Sequence, residues 1–204
     1  MIRYVIGIDE AGRGPLAGPV SVAAVAIPLA SYKKVIIRFR EAKDSKQLTG
    51  TQREVWFKKI KSSSGDLIYS VSLVGNAFID RHGITRSIEV AIFRTLRKLK
   101  VAPSLSRVLL DGSLKAPKDF WRQRTIIRGD EKIKIISLAS IVAKVSRDRH
   151  MVKKAKVFDG YGFEIHKGYG TKKHQQALFK KGPSPFHRQS FLKNFRFEEK
   201  QKVG

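Results

Sequence analysis

Short apolar runs rich in β-branched residues alternate along this chain with longer stretches in which apolar residues recur every three or four positions. Tyr4 to Ile8 is a run of the first kind and predicts a buried strand ending at Asp9. A loop carrying Gly12, Gly14, Pro15, Gly18 and Pro19 follows, and Val20 to Ile27 predicts a second strand. Leu67 to Val74 predicts a third, Arg107 to Leu110 a fourth ending at Asp111, and Thr125 to Ile127 a fifth. Ile84, Ile88, Ala91, Ile92, Leu96 and Leu99 form a helical stripe over 84–100. Leu138, Ile141, Val142, Val145 and Val152 predict a long helix over 136–155. Thr49-Gly-Thr-Gln52 has the spacing of a capping box that opens a helix running to about Lys61. The basic tail after Tyr169 predicts a helix over 171–181. Strands first in a meander, then alternating with helices, predict an α/β domain with a mixed sheet.

Composition narrows the class. A chain of 204 residues holds one domain, or one with a small appendage. Its 42% of hydrophobic residues suffices for a core, so disorder throughout is excluded. There is no cysteine, which removes disulfides, thiolate metal sites and cysteine nucleophiles. Lys plus Arg number 42 against 17 Asp plus Glu, a net charge of +25. That balance points to a polyanionic partner, most simply nucleic acid. An anionic membrane is the competing partner, but no basic amphipathic or apolar anchor is found. Val20 to Ala30, interrupted by Ser21 and Pro28, is too short to span a bilayer. The opening MIRYVIGIDEAG is not a secretory signal, and the expectation is a cytoplasmic protein facing DNA or RNA.

Acids are scarce, so their positions carry information. Three strand-like runs lead into carboxylates: Ile8 into Asp9 and Glu10, Leu110 into Asp111, and Ile127, a little earlier, into Asp130. Converging strand ends would crowd four like charges, which raises their pKa values and favours a bound divalent cation. An all-oxygen donor set suits magnesium or manganese. Taken alone, Asp111 before Gly112 reads more simply as a turn former. Asp9 and Glu10 are neighbours on a strand and face opposite ways, so both reach one site only if the strand ends between them. Gly12-Arg13-Gly14 is a candidate backbone-contact loop, with Arg13 a forked phosphate donor. His166, His174 and His187 lack metal-ligand spacing and are expected at phosphates or at the surface. Phe186, Phe191, Phe195 and Phe197 are expected to pack a C-terminal helix on the core. Gln189, Leu192 and Phe195 superficially resemble a sliding-clamp peptide.

These blocks resemble a known family. DEAGRGPLAGPV (9–20) is similar to the signature of ribonuclease HII, the type 2 RNase H family. DSKQL (44–48), LLDG (109–112), RGD (128–130), SLASIVAKVSRDRHM (137–151), YGFEIHKGYGTKKH (161–174) and GPSPFHRQSF (182–191) resemble its further blocks in order. The resemblance implies an RNase H-like fold: a five-stranded mixed sheet flanked by helices, with a helical C-terminal extension. It implies a catalytic domain at 1–157 and a substrate-binding extension at 158–204. The implied activity is endonucleolytic: hydrolysis of the RNA strand of RNA–DNA hybrids and nicking 5′ to ribonucleotides embedded in duplex DNA. Two ions, Mn2+ or Mg2+, would serve in-line attack, leaving 3′-OH and 5′-phosphate.

By position, Asp9, Glu10, Asp111 and Asp130 match the family's catalytic, metal-binding carboxylates. Gly12, Arg13 and Gly14 match the loop whose backbone contacts the ribonucleotide 2′-OH. Tyr169, with Tyr161 close by, matches the tyrosine that stacks on the sugar at the RNA–DNA junction, and Lys46 a backbone-binding lysine. Lys144, Arg147 and Asp148 of the helix motif are expected to be structural or backbone-positioning. One departure is Ser137-Leu138, where the family is alanine-rich, which questions packing beneath the site. Ribonuclease HIII is the alternative within the enzyme class, but Asp9 lies too near the start for that family's additional N-terminal domain. A non-enzymatic RNA- or ribosome-binding protein accounts for the charge equally well, though not for carboxylates at strand ends. A monomer is expected.

Overall fold

Every side chain from Val20 to Ile27 is buried, Ser21 included, so this strand needs cover on both faces of its sheet. The computed structural model, which describes residues 1–193, supplies that cover. Five strands, β1 (Tyr4–Ala11), β2 (Val20–Pro28), β3 (Ile68–Val74), β4 (Ser106–Asp111) and β5 (Gln123–Ile126), lie in the order β3-β2-β1-β4-β5. β1, β2 and β3 are antiparallel neighbours, whereas β4 runs parallel to β1 and β5 parallel to β4. This is the expected five-stranded mixed sheet. The helices are α1 (Tyr32–Arg38), α2 (Gly50–Lys61), α3 (Asn76–Leu99), α4 (Gly129–Lys132), α5 (Lys134–Ala155), α6 (Phe163–His166), α7 (Lys172–Lys181) and α8 (Gln189–Leu192). Among the described residues, no helix is long and apolar enough to cross a membrane.

The two-residue period of the strands sorts β1 between the layers. Val5 joins one core with α1, α2 and α5, while Ile6 and Ile8 join the opposite core with α3. Ile6 and Ile8 are fully buried and each contributes on the order of 1.5–3 kcal/mol. Gly7 lies on the α5 side, and a Cβ there would stand 2.4 Å from the Ile135 carbonyl oxygen. Only glycine lets the start of α5 come so close to the central strand. α2 begins with the predicted box: Gln52 N–H donates to Thr49 Oγ1 at 3.2 Å, and Thr49 N–H to Gln52 Oε1 at 2.8 Å.

Several local expectations change. β1 does not end at Asp9; it pairs with β2 as far as Ala11. α3 starts eight residues before the predicted Ile84, because Gly83, at φ 79, joins a short N-terminal piece to the apolar stripe. That piece is held by tertiary contacts: Asn76 Nδ2 donates to the Pro185 and His187 carbonyls, and Asp80 accepts from the Gln189 and Ser190 N–H groups. α1 was not foreseen, since Val35 is its one buried residue. β5 stops at Ile126 and leaves Ile127 exposed. Phe186 is buried against Phe158 and Phe163, and Phe191 packs near the α3 core. Phe195 and Phe197 lie outside the described residues, as does the last position of the clamp-like run. Leu192 of that run is buried.

The three histidines are neither phosphate contacts nor surface groups. His174 and His187 are fully buried and His166 nearly so. His174 Nδ1 donates to the Tyr169 carbonyl at 2.9 Å, and its Nε2 accepts from His187 Nε2 at 3.0 Å. His187 Nδ1 accepts from Ser184 N–H at 2.9 Å. His166 Nε2 donates to the Tyr161 carbonyl at 2.7 Å, and its Nδ1 accepts from Gly168 N–H at 3.2 Å. Each ring is thus satisfied as one neutral tautomer. Burial first, then the neighbouring imidazoles, hold His174 and His187 down at about 4.

Two outcomes follow. Gly7→Ala lowers the unfolding free energy by about 1–3 kcal/mol in urea titrations, whereas Gly65→Ala, with open space at its Cβ, changes it by less than about 0.5 kcal/mol. The folded histidines refuse protons that the unfolded chain takes up below the ordinary value of 6.5. Their contribution to stability is therefore full above that pH and is lost as pH falls toward about 4. Urea midpoints measured across this window drop more steeply for the wild type than for His174→Gln.

Candidate active site

Strand alternation decides which acids meet. Val108 and Leu110 of β4 face α3, so Asp111 faces α5. On β1, Asp9 is in phase with Val5 and Gly7 and also faces α5. Ile8 is level with Leu110 in the parallel register, so Asp9 and Asp111 are neighbours on adjacent strands. Asp130 sits in α4, immediately before the α5 start that Gly7 admits. Asp9, Asp111 and Asp130 each offer an oxygen within 4.8 Å of the others. Asp9 is 3% exposed and Asp130 2%. Burial first, then the charges of Glu10, Asp111 and Asp130, raise the Asp9 carboxyl well above its ordinary range. Glu10 lies outside this group of three, one residue out of phase, and its Oε1 pairs with Arg13 Nε at 3.2 Å. Burial still raises its pKa against the opposing pull of Arg13, and the charge of Asp111 adds to the rise.

Backbone groups hold the acids in place. Asp111 Oδ1 accepts from Gly129 N–H at 2.6 Å and Asp130 N–H at 3.3 Å, tying β4 to α4. Ser137 Oγ donates to the Asp130 carbonyl at 2.5 Å and Leu138 is fully buried, so the departure from an alanine-rich run leaves a packed, bonded floor. Lys46 Nζ donates to Asp130 Oδ2 at 2.8 Å. Burial pulls the Lys46 ammonium down, but the Asp130 bond and the charges of Asp130, Asp44 and Asp9 outweigh it and raise its pKa. Asp44, itself buried, accepts from Ser140 Oγ at 3.0 Å. The acids fit hard divalent cations: the donors are all oxygen, three converge, and buried Glu10 Oε2 has no hydrogen-bond partner among the described residues. One ammonium beside three carboxylates leaves negative charge that a metal would balance.

The loop after β1 rests on two arginines that are fully buried. Arg188 donates to the carbonyls of Gly12 at 2.7 Å, Arg13 at 2.9 Å and Gly18 at 2.9 Å. Arg147 donates to those of Pro19 at 2.8 Å, Ala17 at 3.1 Å and Lys167 at 2.9 Å, joining the loop to the segment that carries Tyr169. Gly12, at φ 93, lies on Arg147, and a Cβ there would be 2.0 Å from its Nε. In the sequence Arg188 is one more cation, in the 182–191 block, with nothing to mark it as the support of this loop. The Lys144–Asp148 pair of the helix motif forms at 2.9 Å.

Of the two neighbouring tyrosines, Tyr161 is buried with its hydroxyl donating to the Gly182 carbonyl, while Tyr169 is 39% exposed. Lys144 Nζ lies 5.2 Å from the Tyr169 ring centre. The ring borders a cleft of 890 Å³ whose walls carry Arg53, Arg149, Lys153, Lys156 and Lys167. Glu54 and Asp148 also line it, whereas Asp9, Glu10, Asp111 and Asp130 do not.

The profile of the family described as ribonuclease HII matches residues 6–194. The ribonuclease HII of Caldicellulosiruptor bescii is 46% identical over 192 residues, 94% of this chain and 88% of that protein. The ribonuclease HII of Endomicrobium trichonymphae is 47% identical over 187 residues, 92% of this chain and 84% of that one. The crystal structure of ribonuclease H2 from Pyrococcus horikoshii aligns with a TM-score of 0.69 at 31% identity, covering 92% of this chain and 93% of that one. A sheet of this order with three acids gathered on one face, matched along nearly its whole length by this profile, belongs to the ribonuclease HII family.

Proposed function

We propose that this chain hydrolyses the RNA strand of RNA–DNA hybrids and nicks 5′ to single ribonucleotides in duplex DNA, leaving 3′-OH and 5′-phosphate. The observation that carries the reading is a group of three converging carboxylates, two of them buried, on a chain of net charge +25. A protein that only held RNA would gain nothing from crowding acids against its phosphates. Asp9, Asp111 and Asp130, with Glu10 beside them, would hold two divalent cations, Mg2+ or Mn2+, which when bound would supply Lewis-acid activation of water and charge stabilisation at the leaving 3′ oxygen.

The chain's own groups select the bond. Arg13 and Gly14 are exposed, and their N–H groups have no acceptor among the described residues, so they are free to bind the ribose 2′-OH and its phosphate. The Tyr169 ring is the platform for the deoxyribose beyond. Lys46, whose side chain is 76% exposed along its length, reaches the backbone phosphate. The segment after residue 157 is the substrate-facing extension, and the cleft that it forms with α2 and α5 beside Tyr169 follows the flanking duplex.

The test is a labelled DNA duplex with one embedded ribonucleotide, incubated with Mg2+, Mn2+ or EDTA. Nicking 5′ to the ribose occurs with either metal and stops in EDTA; uniform cleavage of an all-DNA duplex would contradict the proposal. Asp111→Asn keeps the Oδ1 that accepts from Gly129 and Asp130, so the variant folds. Its cleavage rate falls on the order of 10³-fold, since metal charge stabilisation is worth several kcal/mol and each 1.36 is tenfold. Its affinity for the duplex is retained or rises. In EDTA, thermal melting shows Asp111→Asn more stable than the wild type, because one repelling charge is gone. Added Mn2+ raises the wild-type Tm more than the variant's.

A further inference from the structure

We infer that Arg188 is a positioning residue for ribose recognition: it holds the Gly12 and Arg13 carbonyls inward, so that the Arg13 and Gly14 N–H groups point out at the substrate. The inference rests on the proposed reading of the loop. In a trans peptide the C=O and N–H point opposite ways. The Gly12 carbonyl belongs to the same peptide as Arg13 N–H, and the Arg13 carbonyl to the same peptide as Gly14 N–H. Arg188 Nη2 and Nη1 take these two carbonyls at 2.7 and 2.9 Å. One planar fork therefore fixes the direction of both peptides at once, which a lysine ammonium cannot do. Hydrogen bonds from a cation are also stronger than neutral ones, and they polarise the peptides they reach. The two N–H groups on the far side become better donors.

The surroundings favour a purpose beyond stapling. Arg188 forms no salt bridge with any described residue, and its three donor nitrogens all go to carbonyls of residues 12–18. Among the described residues, the carboxylate that favours its charge is Asp80, whose oxygens serve Gln189 and Ser190. Burial, then the charge of Arg147, lower its pKa to about 9, so it stays a cation at neutral pH. The guanidinium lies 5.0 Å from the Phe191 ring centre, but a buried charge with no carboxylate partner is still costly, and an apolar side chain would serve adhesion better. Its position behind the loop gives a reason for the charge, because the partner arriving in front is an anion.

The test compares the Kd of a duplex with one ribonucleotide against the all-DNA duplex, in EDTA, where nothing is cut. The wild type prefers the ribonucleotide duplex. Arg188→Gln, which keeps a neutral donor, lowers that preference about tenfold, the worth of one charge-assisted hydrogen bond. Arg188→Lys recovers part of it, and both variants lose less affinity for the all-DNA duplex than for the ribonucleotide duplex. Equal weakening for both duplexes, with the preference intact, would make Arg188 a mere staple and overturn the inference. A wild type with no ribose preference would instead remove the loop's assigned role, and this inference with it. Amide hydrogen exchange on the wild type tests, without a folding risk, the loop contact on which the inference rests. Arg13 and Gly14 exchange freely alone and are protected by the ribonucleotide duplex more than by the all-DNA duplex. Protection of neither amide, or equal protection by both duplexes, overturns the inference.

Discussion

The contact on which this site depends is the approach of α5 to Gly7. A Cβ at that position would overlap the Ile135 backbone, so any other residue would lift the helix off the sheet. The lift would carry α4 with it, because only Ile133 separates Asp130's short helix from α5. Asp130 could then no longer stand over Asp9 and Asp111. Strand period does the remaining selection, since Asp9 and Asp111 share the α5 face by phase and register alone. The site is a product of one missing side chain and one alternation.

The same closeness makes the site electrostatically unstable on its own. Three carboxylates within 4.8 Å, two of them nearly dry, oppose folding in proportion to their mutual repulsion. Backbone N–H groups on Asp111 and Asp130 and the Lys46 ammonium offset part of this. The high positive charge elsewhere then has a second role besides drawing in phosphate. It keeps the long-range potential favourable for an anion that must approach a negative centre.

The sheet was legible in the sequence because its strands are short apolar runs with turn residues between them, and Asp9 and Asp111 were legible because acids end two such runs. The parity argument over Asp9 and Glu10 also proved informative: the strand continues through both, and Glu10 turns to Arg13 rather than into the group of three. What escaped detection depends on distant partners. The start of α3 is fixed by Asn76 and Asp80 binding a segment more than a hundred residues away. The histidines looked like surface groups because spacing along the chain says nothing of a relay from Tyr169 through His174 and His187 to Ser184. Arg188 looked like one cation among many because its partners are backbone carbonyls, which carry no sequence signal.

Those carbonyl partners explain how a small C-terminal core can hold a loop in one conformation. Seven buried residues, Ala17, Met151, Tyr161, Phe163, Leu178, Phe186 and Leu192, form the apolar part of that core. Apolar contact is non-directional, so it can press a loop down without setting the rotation of its peptides. Buried carbonyls, in contrast, must find donors, and each donor fixes a direction. Arg147 and Arg188 between them take the carbonyls of Gly12, Arg13, Ala17, Gly18 and Pro19, and the Arg188 N–H takes that of Leu16. The inner side of the loop is thereby satisfied almost residue by residue. Hydrogen-bonding capacity is left over at Arg13 and Gly14 N–H, on the side that faces solvent. On the proposed reading of the loop, specificity would be set from behind, by residues that never touch the substrate.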